Sequence, residues 1–208
     1  VKLERTLKIK ALRLAAASNP GSCDLGRRQF LVHAARTVPL VALAPLPLRA
    51  VASALPAGDR NRSLTLLNTH TGESLCAAYR CGADFNADNL ERFNFLLRDY
   101  RTGAMKAIDP PLFDILYDVA WKLGVDPHFE VISGYRSPQT NAMLHERSAG
   151  VASHSLHMDG KAIDVRLAGI KTRHLFDAGL ALGRGGCGYY DRSDFAHLDT
   201  GRVRSWRG

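Results

Sequence analysis

Between residues 155 and 164 the chain reads Ser-Leu-His-Met-Asp-Gly-Lys-Ala-Ile-Asp. A second histidine, His197, stands in the later stretch Asp194-Phe195-Ala196-His197-Leu198-Asp199. Two imidazoles and a carboxylate form the protein ligand set of a catalytic zinc. Three ligands leave the fourth tetrahedral position open for water, whereas a closed structural site uses four. His157 and Asp164 are too far apart in the chain to share one helix face as an i, i+4 pair does. They suit a loop residue and a strand residue that meet at the metal. Gly160 between them lets the chain turn tightly or approach a sheet closely. From Ala162 to Leu167 the residues alternate. Ile163, Val165 and Leu167 point one way, and Ala162, Asp164 and Arg166 point the other, toward a cleft.

The rest of the chain reads as short strands and helices in mixed order. Ser63 to Asn68 and Ser74 to Tyr79 flank the turn Thr71-Gly72-Glu73 as a hairpin. Asp88 is the expected cap of a helix over Asn89 to Asp99, and Asp109 with Pro110 opens the next one. That second helix buries Leu112, Ile115, Leu116, Val119 and Leu123 and ends at Gly124. A strand at Glu130 to Ser133 precedes a helix over Pro138 to Arg147. Another helix covers Ile170 to Leu182. Gly185 to Tyr190 and Phe195 to Asp199 read as two strands of one sheet. The expectation is an α+β fold with a small antiparallel sheet and flanking helices.

The formal charge of +8 over 208 residues would ordinarily suggest a nucleic-acid or membrane partner. Its location excludes that. Nine of the 28 Lys and Arg, but only two of the 20 Asp and Glu, lie in residues 1 to 54, so the remainder carries 19 basic against 18 acidic residues. The basic segment contains Arg27-Arg28-Gln29-Phe30-Leu31, an apolar run from Val38 to Leu48, and small-x-small sites at Ala50-Val51-Ala52 and Ala52-Ser53-Ala54. This order resembles a twin-arginine export signal. The apolar run is broken by Pro39, Pro45 and Pro47 and is too short for a membrane span. The expectation is a signal over 1–54, a partner in the export machinery, a periplasmic location, and one domain over 55–208. Cys76, Cys81 and Cys187 remain after the signal. They form no CxxC pair, which argues against a thiolate zinc site.

A zinc ion acidifies water and polarises a carbonyl, and a nearby carboxylate then serves as base. Two carboxylates flank His197. Asp199 shares its strand face and suits orientation of the imidazole. Asp194, at the strand mouth, is the expected base.

His157-x-x-Gly160-x-Ala162-x-Asp164 resembles the HxxGxAxD motif of the D-Ala-D-Ala peptidases with the hedgehog-type fold. In that family a later histidine, three residues after an acidic base, completes the site. Asp194-x-x-His197 matches, with Asp where many members carry Glu. Further blocks are similar to an exported branch of murein endopeptidases: His70 to Glu73, Leu97 to Arg101, Ser133 to Ser137, Gly185 to Tyr190 and Asp199 to Trp206. The resemblance covers about residues 60 to 206. It implies a zinc peptidase acting on peptidoglycan stem peptides, with the L,D-bond between diaminopimelate residues as the leading expectation. D,D-carboxypeptidase activity and a non-catalytic wall-binding domain are the alternatives. It also implies that Arg136 contacts the substrate or its developing oxyanion, a task that suits a guanidinium.

Overall fold

The computed structural model describes residues 61–148 and 151–208. The expected signal, residues 1 to 54, lies outside the described residues. Eight strands form one sheet in the order β3-β2-β1-β4-β5-β7-β6-β8. The first hairpin joins β1 (Arg62–Asn68) to β2 (Ser74–Cys81) through the turn at Gly72, and β2 continues into the two-residue β3 (Asp84–Phe85). Helix α1 (Ala87–Leu96) follows, then a long loop and α2 (Pro110–Leu123). Strand β4 (His128–Ser133) then inserts beside β1, parallel to it.

Helix α3 (Pro138–Arg147) leads through a short 3-10 turn (Leu156–Asp159) into β5 (Ala162–Leu167), which pairs antiparallel with β4. Helix α4 (Thr172–Leu182) precedes β6 (Gly186–Tyr190), β7 (Phe195–Asp199) and β8 (Arg204–Arg207). Strand β7 sits between β5 and β6, and β8 adds to the outer edge of β6 in parallel.

The α+β class is observed, but the sheet is neither small nor purely antiparallel. The physical reason lies in the connections. Two helices between β2 and β4 give the chain enough length to cross over and return parallel to β1, which a tight turn cannot do. Strands β3 and β8 escape a sequence reading because one has two residues and the other, Arg-Ser-Trp-Arg, lacks apolar alternation.

Helix α2 carries the main apolar stripe. Leu112, Phe113, Ile115, Leu116 and Val119 are buried in a core shared with Leu64, Leu66, Tyr79, Phe93 and Phe129. The helix starts at Pro110 and stops at Gly124 in the left-handed region, φ 70°. Asp109 makes no side-chain cap bond; its carboxylate accepts instead from the Thr200 hydroxyl at 2.6 Å. The cap of α1 is Asn86, whose side chain accepts from the Asn89 amide, and not Asp88. Asn and Asp cap about equally well, so position within the turn decides between them.

Candidate metal centre

Three elements deliver the three ligand candidates. Strands β5 and β7 run antiparallel with Asp164 directly opposite His197. Cross-strand partners hold their side chains within a few ångströms of each other, so register alone joins these two groups. His157 comes from the 3-10 turn. Ser155 caps this turn, its hydroxyl accepting from the His157 amide, and Gly160 closes it at φ 68°. Gly160 meets a second demand, since a Cβ there would fall 2.3 Å from the Ala107 carbonyl oxygen. The HxxGxAxD spacing thus encodes one turn, one close approach and the first half of a strand.

The three side chains are buried, at 1% exposure for His157, 3% for Asp164 and 8% for His197. His157 Nε2 is 3.2 Å from Asp164 Oδ1 and 3.2 Å from His197 Nδ1, and the last two atoms are 2.8 Å apart. Ligands of a tetrahedral zinc at roughly 2.0–2.1 Å would stand about 3.3 Å from one another. The triangle is therefore close to the size a metal needs.

The remaining ring nitrogens agree with this. His157 Nδ1 lies 2.7 Å from the Gly134 carbonyl oxygen, a pure acceptor, so Nδ1 donates and Nε2 keeps its lone pair toward the triangle. His197 Nε2 lies 3.1 Å from Asp199 Oδ2 and donates to it, leaving Nδ1 for the triangle. Metal-bound histidines characteristically give their second nitrogen to a carbonyl or a carboxylate. The donor set fits a metal ion.

Charge is balanced around the triangle. Burial pushes the His157 imidazole toward its neutral form, against the pull of Asp164. Burial also works to raise the Asp164 carboxyl, but His157 and Arg136 beside it hold it well below the usual carboxylate range. Burial likewise disfavours a charged His197, yet hydrogen bonds to Asp164 and Asp199 carry its pKa above the ordinary imidazole value. Asp164 is thus an anion and His157 a neutral base, the forms in which carboxylates and imidazoles bind a metal.

Above the triangle opens a cleft of about 420 Å³, whose lining includes Arg136, His154, Tyr190, Phe195 and Trp206. Arg136 is placed by the loop between β4 and α3. Its backbone amide donates to the His157 carbonyl at 3.2 Å, its Nε donates to Ser133 Oγ at 2.7 Å, and an Nη pairs with Asp164 Oδ2. The guanidinium therefore steadies the Asp164 carboxylate as well as lining the cleft. Gly134, two residues earlier, has no room for a Cβ, which would lie 2.6 Å from the Leu97 carbonyl oxygen. Below the loop, the buried Asp99 accepts from the Ser137 amide at 2.9 Å and its hydroxyl at 2.6 Å. Burial alone would raise the Asp99 carboxyl, but these bonds bring it down to about 2.

The structure brings His157, Asp164, His197 and Arg136 together, and it sets Asp194 apart from them. Asp194 lies in the turn before β7, with a φ of 50° that only a few per cent of non-glycine residues adopt. Its carboxylate accepts from the Thr172 hydroxyl at 2.6 Å and lies 3.4 Å from Arg166 Nε. It lines a neighbouring groove with Glu130, Arg166 and Arg173, not the metal cleft. The helical start at Thr172 competes for this carboxylate, and a spacing rule cannot see such a competitor. Asp199 stands behind His197 and is fully buried. Sequence reasoning assigned no role to Gly134, Arg204 or Trp206. Their only signal was membership of the blocks that resemble the exported branch.

Comparison with known proteins agrees with this site. The family model described as peptidoglycan L,D-endopeptidase MepK matches residues 56–206. The peptidoglycan L,D-endopeptidase MepK of Escherichia coli (strain K12) is 42% identical over 183 residues, 88% of this chain and 98% of that protein. The probable peptidoglycan L,D-endopeptidase MepK of Haemophilus influenzae is 41% identical over 156 residues, 74% of this chain and 84% of that protein. No solved structure gives a significant match. With its His-Asp-His triangle, its cleft and a match of this extent, the chain belongs to the MepK family of peptidoglycan L,D-endopeptidases.

Proposed function

We propose that this protein is a zinc-dependent endopeptidase that hydrolyses peptide crosslinks of peptidoglycan, at the L,D-bond between two diaminopimelate residues. The observation that carries the reading is the triangle of buried His157, Asp164 and His197 atoms at the floor of an open cleft, in a chain of this family. Those three residues would hold the ion. When bound, zinc supplies Lewis-acid chemistry, polarising the scissile carbonyl and lowering the pKa of water toward about 7.

The protein's own groups supply orientation and charge. Arg136 has five donors, and its bonds to Ser133 and Asp164 leave others for a substrate carboxylate or the oxyanion of the tetrahedral intermediate. Tyr190, Phe195 and Trp206 give one wall of the cleft an aromatic surface on which a peptide can lie. Proton transfer from water to the leaving amine needs a base that reaches the cleft. Asp194 can take that part only by releasing Thr172 and Arg166. His154 already lines the cleft.

We place the protein in the periplasm, delivered by the twin-arginine route, because its substrate lies there. Among the described residues no helix is long and apolar enough to cross a membrane. The hedgehog-type frame is our reading of the strands that carry the ligands.

Zinc-loaded protein incubated with crosslinked muropeptides, with products read by mass, tests the function. Release of two stem peptides from a diaminopimelate-diaminopimelate crosslink is the expected result. Release of D-alanine alone reassigns the protein as a D,D-carboxypeptidase, and tight zinc without any cleavage rejects the enzyme. In the same assay Asp194→Ala decides the base. Loss of turnover with zinc retained assigns it to Asp194, and wild-type turnover passes the role to His154.

A further inference from the structure

The surroundings of Asp199 have a degree of construction that the reaction itself does not explain. Both carboxylate oxygens are fully engaged. Oδ1 accepts from the Gly186 amide at 2.8 Å, the Gly201 amide at 2.8 Å and Arg204 Nη1 at 3.1 Å. Oδ2 accepts from Arg204 Nη2 at 2.7 Å and from His197 Nε2 at 3.1 Å. No lone pair remains to act as a base, so the residue works through His197.

Strand β8 supplies the other half. Its parallel register sets Arg204 beside Gly186 and Trp206 beside Gly188. Two residues apart on a strand, Arg204 and Trp206 share one face. Arg204 grips Asp199, and the Trp206 ring lies 5.1 Å from the His197 ring, with its N–H donated to Tyr190 at 2.9 Å. The glycines of β6 are the spaces these groups occupy. A Cβ at Gly186 would fall 2.4 Å from both Arg204 Nη1 and Asp199 Oδ2, and one at Gly188 would fall 2.6 Å from the indole. Glycine costs a strand entropy and packing, so its use here reflects close approach.

We propose that Arg204 and Asp199 form a clamp, brought by β8, that presets His197 for the metal. Asp199 takes the Nε2–H, which leaves the Nδ1 lone pair as the ligand atom, and Arg204 holds Asp199 against the imidazole. The inference rests on the reading that His157, Asp164 and His197 hold the ion. Asp199 and Arg204 are positioning residues in it. A buried carboxylate without its cation is strongly disfavoured, so Arg204 governs the clamp although it touches neither metal nor imidazole.

Zinc dissociation constants, measured by chelator competition at one pH, test the clamp, with thermal unfolding of the metal-free proteins recorded alongside. Asp199→Asn and Arg204→Ala should bind zinc about 10–100-fold more weakly, the usual cost of losing a partner behind a ligand histidine. Arg204→Lys should recover only part of this, since an ammonium lacks the two-pronged grip. Arg173→Ala, which breaks an exposed pair with Asp177, should bind as the wild type does. A merely structural β8 would lower the unfolding temperature and leave the affinity of the folded protein unchanged. That outcome for Arg204→Ala overturns the clamp. If Arg204→Ala does not fold, wild-type affinity in Arg204→Lys overturns it equally. A wild-type protein that takes up no stoichiometric zinc rejects the metal reading instead.

Discussion

The two histidines of the triangle are held by opposite means. His157 gives its Nδ1–H to a backbone carbonyl, that of Gly134, on a loop pinned by Leu97 and Asp99. His197 gives its Nε2–H to a carboxylate, Asp199, which in turn needs Arg204 and two backbone amides. The first region orients an imidazole with a neutral dipole, and backbone fit does the work. The second orients with charge, and the side chains of Asp199 on β7 and Arg204 on β8 do the work. A carbonyl adds no net charge beside the triangle. The carboxylate makes the second imidazole the more basic of the two. The His157 wall should therefore be sensitive to shape, and the His197 wall to charge.

Removal of a ligand should act hardest and equally on both sides. His157→Ala and His197→Ala should each lose stoichiometric zinc and all measurable turnover, by metal analysis and muropeptide cleavage. Full zinc occupancy in either variant would break the ligand assignment. Arg136→Ala should come next, lowering kcat about 10²–10³-fold, the usual effect of removing an oxyanion donor. A rise in KM alone would make Arg136 a carboxylate-binding residue instead.

The shape-dependent wall is probed by Gly134→Ala. Its new Cβ meets the backbone of Leu97, so a loss of about 1–3 kcal/mol in denaturant unfolding is expected, as for other overpacked sites. Acid should loosen the same wall. The Asp99 carboxyl is held at about 2, below its ordinary 3.8, so it stabilises the fold above the ordinary value. That stabilisation, about 2 kcal/mol, should fade as pH falls from near 4 toward 2 and should be absent in Asp99→Asn. An unchanged acid profile in that variant would remove Asp99 from the comparison. The smallest effect belongs to the exposed Arg173–Asp177 pair, whose loss should change stability by about 0.5 kcal/mol or less.

The legibility of the two walls differs in the same way. Residues 155 to 164 announce a turn, a glycine and a strand, and the structure builds those elements there. Helix α2 was visible from Pro110, its stripe and Gly124, because each signal is local. What escaped depended on distant partners. Asp194 has the right spacing from His197, but spacing is silent about Thr172 and Arg166 across the groove. Asn86 took the cap that Asp88 seemed to offer because one residue's phase in the turn decides which side chain reaches the free amide. Arg204 and Trp206 sit in a strand with no apolar alternation, and their meaning lies in the emptiness of Gly186 and Gly188. The parallel pairs β1–β4 and β6–β8 that make the sheet mixed depend on what lies between the paired strands in the chain, and leave no mark in the strands themselves.

Strand β8 also has a consequence for solubility. It is one of the two outer strands of the sheet, and the other is the two-residue β3. An outer strand offers unpaired backbone groups to any neighbouring chain, and proteins blunt such edges with short strands and charged side chains. Arg204 and Arg207 are the two ends of the four-residue β8, and Asp84 sits in β3. Without β8 the sheet would end at β6, whose Gly-Cys-Gly-Tyr-Tyr sequence carries no charge to repel a second copy. Variants that loosen β8 should therefore self-associate with rising concentration, quite apart from what they do to the metal.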